Sequence, residues 1–175
     1  MNQYSLKFLI FNVISFYIYW WLCLIGSSRG DFFYGPLAAL VYFIIHFFII
    51  DNKYKEFKYI IICMILGILI ETLMLQLNFI EYRGYLSSNY NIAPLWVIVL
   101  WMGFGTTVFH SFKWVLGKYK LSFLLGAIFT PVIYFSAYKI GSIAFNYNVL
   151  TSYLILSLIW GFTLLLLIYI ADKIT

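Results

Sequence analysis

Apolar runs of bilayer-spanning length follow one another along almost the whole chain. A transmembrane helix needs about 20 residues to cross a hydrocarbon core of roughly 30 Å. The chain is 65% hydrophobic and 10% charged, whereas soluble domains are about 45–50% apolar and 25% charged. The sequence therefore predicts an all-α polytopic membrane protein, a single domain over residues 1–175 with about six transmembrane helices. The predicted spans are residues 8–25, 33–50, 59–78, 94–112, 121–138 and 151–171.

Positive charges alternate in density from one connection to the next. Placing the N-terminus inside puts eight lysines on one side: Lys7, Lys53, Lys55, Lys58, Lys113, Lys118, Lys120 and Lys173. The other side receives only Arg29, Arg83 and Lys139. Cytoplasmic loops are enriched in Lys and Arg, so we expect both termini to be cytoplasmic. The charges form no basic face, which argues against nucleic acid as a partner.

Glu71 is the acidic residue inside a predicted span. It lies about two-thirds of the way along residues 59–78. An ionisable group costs about 2.5–3.5 kcal/mol at the centre of a membrane helix, and such groups often mark function. Glu71 is therefore a candidate ligand anchor, proton carrier or acid–base group. The alternative is a protonated carboxyl that holds neighbouring helices together through a hydrogen bond.

The candidate surroundings of Glu71 come from the fourth and fifth spans. Gly67 precedes Glu71 by four residues and places the carboxyl on a face suited to close helix packing. The aromatic run that contains Trp101 is expected to form one wall of a binding site. Thr106, Thr107 and Thr130 lie at middle depth and are predicted to supply polar contacts.

A second set of polar residues is expected near the cytoplasmic ends of the spans. It comprises Asn12, His46, His110 and Ser111. A polar cluster is one interpretation, and interfacial side chains that bond backbone or headgroups are the other. Two histidines without a cysteine or carboxylate at matching depth make a poor metal site, and a bis-histidine haem needs two facing imidazoles. We therefore expect neither a metal nor another cofactor.

Spans four and five contain the short motifs Ala93-Pro94-Leu95-Trp96, Leu100-Trp101 and Thr106-Thr107. With these motifs the chain resembles a bacterial family of small inner-membrane proteins, the domain-of-unknown-function family twenty-eight seventy-eight. The resemblance covers nearly the whole chain. Glu71 stands where the family usually has aspartate, and Thr130 where it has glycine. The residues that carry the resemblance are Ala93-Pro94-Leu95-Trp96, Leu100-Trp101, Phe104, Thr106-Thr107, His110-Ser111 and Trp114, with Asn12, Trp20, Gly35-Pro36, His46, Gly126-Ala127, Pro131, Tyr134 and Gly141.

The resemblance implies a location in the bacterial inner membrane and no established activity. Genes of this family often lie beside those for lipid-modifying methyltransferases and flavin oxidoreductases, which implies membrane-lipid chemistry. We expect a protein that binds a lipid or lipid-like molecule around Glu71, or assists its modification, with the bilayer as its other partner. Two alternatives stay open: a small-molecule transporter or its membrane-embedded substrate subunit, and a membrane enzyme on an apolar substrate.

Overall fold

The computed structural model describes residues 6–85 and 91–174, and helices account for most of them. Six α-helices follow one another, as the apolar runs predict. They are α1 (Leu6–Ser28), α2 (Tyr34–Ile49), α3 (Lys53–Gln76), α4 (Leu95–Val108), α5 (Tyr119–Ile140) and α6 (Val149–Ile174). Two short strands, β1 (Ile80–Tyr82) and β2 (Ile143–Phe145), follow α3 and α5.

Four of the helices are long and apolar enough to cross a membrane individually: α1, α3, α5 and α6. Helix α2 has 16 residues and α4 has 14, which correspond to about 24 and 21 Å at the α-helical rise. Helix α4 is shorter than its apolar run because the chain turns after Val108. The amides of His110 and Phe112 both donate to the carbonyl of Thr107, at 3.1 and 2.9 Å. The architecture is that of an all-helical membrane protein.

The helix ends fall into two groups. The basic end consists of the starts of α1, α3 and α5 with the ends of α2, α4 and α6, and it carries the eight lysines. Here the amide of Gly117 donates to Asp172 Oδ2 at 2.9 Å, which joins the start of α5 to the end of α6. The opposite, strand end carries Arg29, Arg83 and Lys139. Ser142 Oγ there donates to the carbonyl of Leu24 at 2.7 Å.

The strand pair at the strand end is not part of the six-helix expectation. Strands β1 and β2 are antiparallel, with Ile80 opposite Phe145 and Tyr82 opposite Ile143. Ile80 and Tyr82 are buried, so this part of the connection packs against the bundle. The pairing fixes Tyr82 beside α3.

Gly67 permits a close contact between α3 and α4. A Cβ atom at this position would lie 2.8 Å from Trp101 Cβ and 2.7 Å from Trp101 Cδ2. The side chain of Trp101 therefore packs directly against the α3 backbone, one turn before Glu71. The predicted close-packing face of α3 thus positions an indole next to the carboxyl.

Candidate ligand site around Glu71

The Glu71 carboxyl is held by three side chains from three different elements. Trp101 Nε1 in α4 donates to Oε1 at 2.7 Å, and the Tyr134 hydroxyl in α5 also bonds Oε1. The Tyr82 hydroxyl in β1 bonds Oε2. Glu71 is 1% exposed. A carboxylate offers about four acceptor positions, so these contacts leave room for one more donor, on Oε2.

Tyr82 is the partner that lies outside the helices. Burial and the adjacent Glu71 carboxyl raise the pKa of Tyr82 well above its ordinary value. Its phenol therefore stays protonated and remains able to donate to Oε2. The register of β1 against β2 fixes this ring, and its contact with Trp96, at 6.2 Å between ring centroids, adds a second constraint.

A cavity of about 210 Å³ opens beside the carboxyl. Its walls come from α1, α3, α4, α5 and α6 and from both strands. Most lining side chains are aliphatic or aromatic, and Glu71 and Thr130 are among the few polar ones. Trp101 stacks on Trp160 with ring centroids 4.6 Å apart, which gives the cavity one flat aromatic wall. The lining residues are Phe16, Tyr17, Trp20, Leu24, Glu71, Tyr82, Trp96, Val97, Leu100, Trp101, Phe104, Thr130, Ile133, Tyr134, Ala137, Ile143, Trp160 and Leu164.

Two lining residues show where the cavity approaches the surface. Tyr17 in α1 is 56% exposed and Ile133 in α5 is 44% exposed, and both line the cavity. Both belong to helices with the length and composition of membrane spans. The cavity therefore reaches the lateral surface of the bundle between α1 and α5, at one side of the helices rather than at a polar end.

Three of the five residues predicted around a ligand lie at this cavity: Glu71, Trp101 and Thr130. Thr106 and Thr107 do not line it. The hydroxyl of Thr106 donates to Gly103 O, and that of Thr107 to Phe104 O, both at 2.7 Å. Each threonine satisfies its hydroxyl within its own helix, and Thr106 instead joins the second polar cluster.

That second cluster contains a continuous chain of hydrogen bonds. Ser111 Oγ donates to Asn12 Oδ1 at 2.7 Å, and Asn12 Nδ2 donates to the Tyr42 hydroxyl at 3.1 Å. The hydroxyls of Tyr42 and Thr106 lie 2.5 Å apart. The structure thus joins the predicted Asn12 and Ser111 and adds Tyr42 and Thr106 to them.

The two predicted histidines meet on a carboxylate. Glu56 Oε1 lies 2.8 Å from His110 Nε2, and Glu56 Oε2 lies 3.5 Å from His46 Nε2. In the sequence Glu56 falls in the connection between two apolar runs, but it lies in the first turn of α3 and is 4% exposed. The expectation that no carboxylate shares the depth of the histidines is therefore wrong.

Four residues of the two sites were missed from the sequence, and they left different signals. Glu56 precedes the third apolar run by three residues, so a helix that begins one turn before that run would include it. Tyr42 lies one helical turn before His46. Tyr134 follows Thr130 by four residues and so shares its helix face. Tyr82 left no local signal, because a long-range strand pairing positions it.

Six apolar helices around a buried carboxyl and an aromatic cavity define an all-helical membrane protein. The profile of the family described as protein of unknown function (DUF2878) matches residues 9–166. The chain therefore belongs to this family, which confirms the resemblance carried by spans four and five. No curated protein and no solved structure matches the chain significantly.

Proposed function

We propose that the protein binds a lipid or lipid-like molecule in the Glu71 cavity. By holding this molecule, the protein would present it for chemical modification or assist the modification itself. The single observation that carries this proposal is an apolar, aromatic cavity with one buried carboxyl at its wall. Ligand sites are commonly apolar clefts in which a few polar groups fix orientation. A transporter of polar solutes would instead need a polar path to one end of the bundle.

The size of the cavity limits what it holds. A cavity of about 150 Å³ accommodates a benzene molecule, so 210 Å³ suits a ring or a short chain segment. A complete membrane lipid would extend past Tyr17 and Ile133 into the surrounding bilayer. The ligand would place a hydroxyl, amine or amide donor at the open position on Glu71 Oε2.

We further propose that all six helices cross a bacterial cytoplasmic membrane with both termini inside. The basic end carries eight lysines and the strand end three cationic residues. By the positive-inside rule, the basic end is expected to face the cytoplasm. Helices α2 and α4 are short, but non-helical residues that flank a short helix are tolerated at membrane depth when protein buries them. Phe109 and His110 after α4 are buried.

Glu71→Gln tests the ligand proposal because it keeps the size of the side chain and removes the carboxylate. Wild type and variant are purified in the same detergent, extracted with organic solvent and compared by mass spectrometry. Gln replaces one acceptor oxygen with an amide donor, and a lost hydrogen bond costs about 0.5–1.5 kcal/mol for a neutral carboxyl and about 1.5–3 kcal/mol for a charged one. The bound molecule should therefore fall by at least about twofold, and by roughly tenfold or more if Glu71 is ionised.

Glu81→Gln is the matched control, because it removes an exposed carboxylate in β1 that does not line the cavity. It should retain the ligand at the wild-type level. Equal ligand content in wild type and in a folded Glu71→Gln variant would remove Glu71 as an anchor. The absence of any bound lipid-soluble molecule from wild type, even after incubation with bacterial lipid extract, would overturn the proposal.

A further inference from the structure

We propose that His46, Glu56 and His110 bind a divalent first-row transition-metal ion, with zinc as its representative, at the basic end of the bundle. The three side chains approach from three elements, with ligand atoms that all lie within 4.8 Å of one another. This site is independent of the Glu71 cavity. Glu71 follows Glu56 by 15 residues in α3, which is about 22 Å along the helix.

The local fold aims these side chains at a common point. His46 lies in the last turn of α2, and a short link leads directly into α3. The side chain of Asn52 accepts a hydrogen bond from the amide of Lys55 at 3.1 Å and so fixes the first turn, where Glu56 lies. The turn after α4 then brings His110 to the same carboxylate.

The distances suit ligands that share an ion. Zinc binds imidazole nitrogen and carboxylate oxygen at about 2.0–2.2 Å, so two ligand atoms of a tetrahedral site lie about 3.4 Å apart. The separation of 3.5 Å between His46 Nε2 and Glu56 Oε2 is close to this value. The separation of 2.8 Å between His110 Nε2 and Glu56 Oε1 is a hydrogen-bond distance, and it would widen by about 0.6 Å when both atoms bind one ion. The longer one, between His46 and Glu56, exceeds the usual length of an N–H···O hydrogen bond.

The burial of the three groups favours a cation between them. His46, Glu56 and His110 are 0%, 4% and 2% exposed. A buried carboxylate is costly unless it is paired or coordinates a metal. Two histidines and one glutamate form a donor set that holds zinc with one coordination position open, as in catalytic zinc sites. The site thus has the composition of a metal centre that can take a further ligand.

Metal content of the untagged protein tests this assignment. Wild type in detergent is loaded with Zn²⁺, passed through a desalting column and measured by inductively coupled plasma mass spectrometry. About one ion per chain is expected. Glu56→Gln and His110→Gln should each retain at least tenfold less, because each removes a ligand atom. Glu71→Gln is the matched control, since it removes the other buried carboxyl and should keep the metal.

Loading wild type with Co²⁺ gives a readout that requires no variant to fold. Visible d–d absorption of the intensity typical of tetrahedral Co²⁺ is expected, and added Zn²⁺ should abolish it. Folded wild type that shows no such bands and holds no Zn²⁺ after desalting would overturn the proposal. Retention of as much metal by Glu56→Gln as by wild type would overturn it as well. Both of these results concern metal binding alone, and neither one tests whether Glu71 retains a lipid-like ligand.

Discussion

Trp101 Nε1 lies 2.7 Å from Glu71 Oε1, and this contact helps to decide which oxygen of the carboxyl stays open to a ligand. An indole N–H donates and does not accept, so Oε1 must offer it a lone pair whether or not Glu71 is protonated. Tyr134 bonds the same oxygen. Oε1 therefore has its two ordinary acceptor positions occupied. Oε2, beside Tyr82, is the carboxyl oxygen with an acceptor position left for a ligand.

The Trp101–Glu71 contact should appear as a coupling energy between the two residues. Trp101→Phe removes the donor, and Glu71→Met removes the acceptor at similar size. Each single variant leaves buried polar partners unsatisfied and should lower the free energy of unfolding. The double variant should lose less than the sum, with a coupling of about 0.5–3 kcal/mol. The measurement is unfolding in mixed detergent micelles.

A distant pair supplies the control for this cycle. Asn12 lies in the second polar cluster, without contact to Glu71. Asn12→Ala combined with Glu71→Met should be additive within about 0.5 kcal/mol. Additivity of Trp101→Phe with Glu71→Met would show that the indole does not support the carboxyl.

Gly67→Ala should disturb the Glu71 site without changing any residue of it. The added Cβ would lie 2.7 Å from Trp101 Cδ2, so the indole must move away from α3. Such overpacking typically costs about 1–3 kcal/mol, and ligand retention should fall with it. Gly105→Ala is the control, because its Cβ would meet Cys63 Sγ and Ile60 Cα only at 3.3 Å. In thermal unfolding, Gly67→Ala should have a lower unfolding temperature than Gly105→Ala. The reverse order of unfolding temperatures would contradict the packing argument.

Much of this arrangement follows from local sequence patterns, and the rest depends on contacts between distant segments. The apolar runs predict the six helices, and Gly67 with Glu71 predicts the packed face of α3. Tyr82 reaches Glu71 only because residues 80–82 pair with residues 143–145, and such pairing has no signature within three residues. Thr106 and Thr107 lie at the depth expected for the site, but they face other partners. The position of a residue along a helix gives its depth, but it does not give the direction in which the side chain points around the helix axis.

Ile133→Trp should hinder entry of the ligand from the lateral surface. Ile133 lines the cavity and is 44% exposed, so a larger side chain there narrows the opening without touching Glu71. The protein is first delipidated and then incubated with added lipid, and ligand uptake is measured over time by mass spectrometry. Uptake by Ile133→Trp should be slower than uptake by wild type. Ile128→Trp is the matched control: residue 128 is also in α5 and 49% exposed but does not line the cavity. Equal uptake by both variants would place the entrance elsewhere.

Single cysteines on both sides of the short helices should reveal whether α2 and α4 cross the membrane. Arg29 and Lys53 flank α2, and Ile92 and Lys118 flank α4, and all four are exposed. A membrane-impermeant maleimide should label Arg29→Cys and Ile92→Cys from outside. Lys53→Cys and Lys118→Cys should react only after permeabilisation, because the basic end is expected in the cytoplasm.

The native chain is the control for this experiment. Its two cysteines, Cys23 and Cys63, are free but buried, so the unsubstituted protein should remain unlabelled in its folded state. Labelling of Arg29→Cys and Lys53→Cys from the same side would show that α2 does not cross, and the corresponding result at residues 92 and 118 would apply to α4. Labelling of only Lys53→Cys and Lys118→Cys in intact cells would invert the orientation, because the lysine-rich end would then face outward against the charge bias.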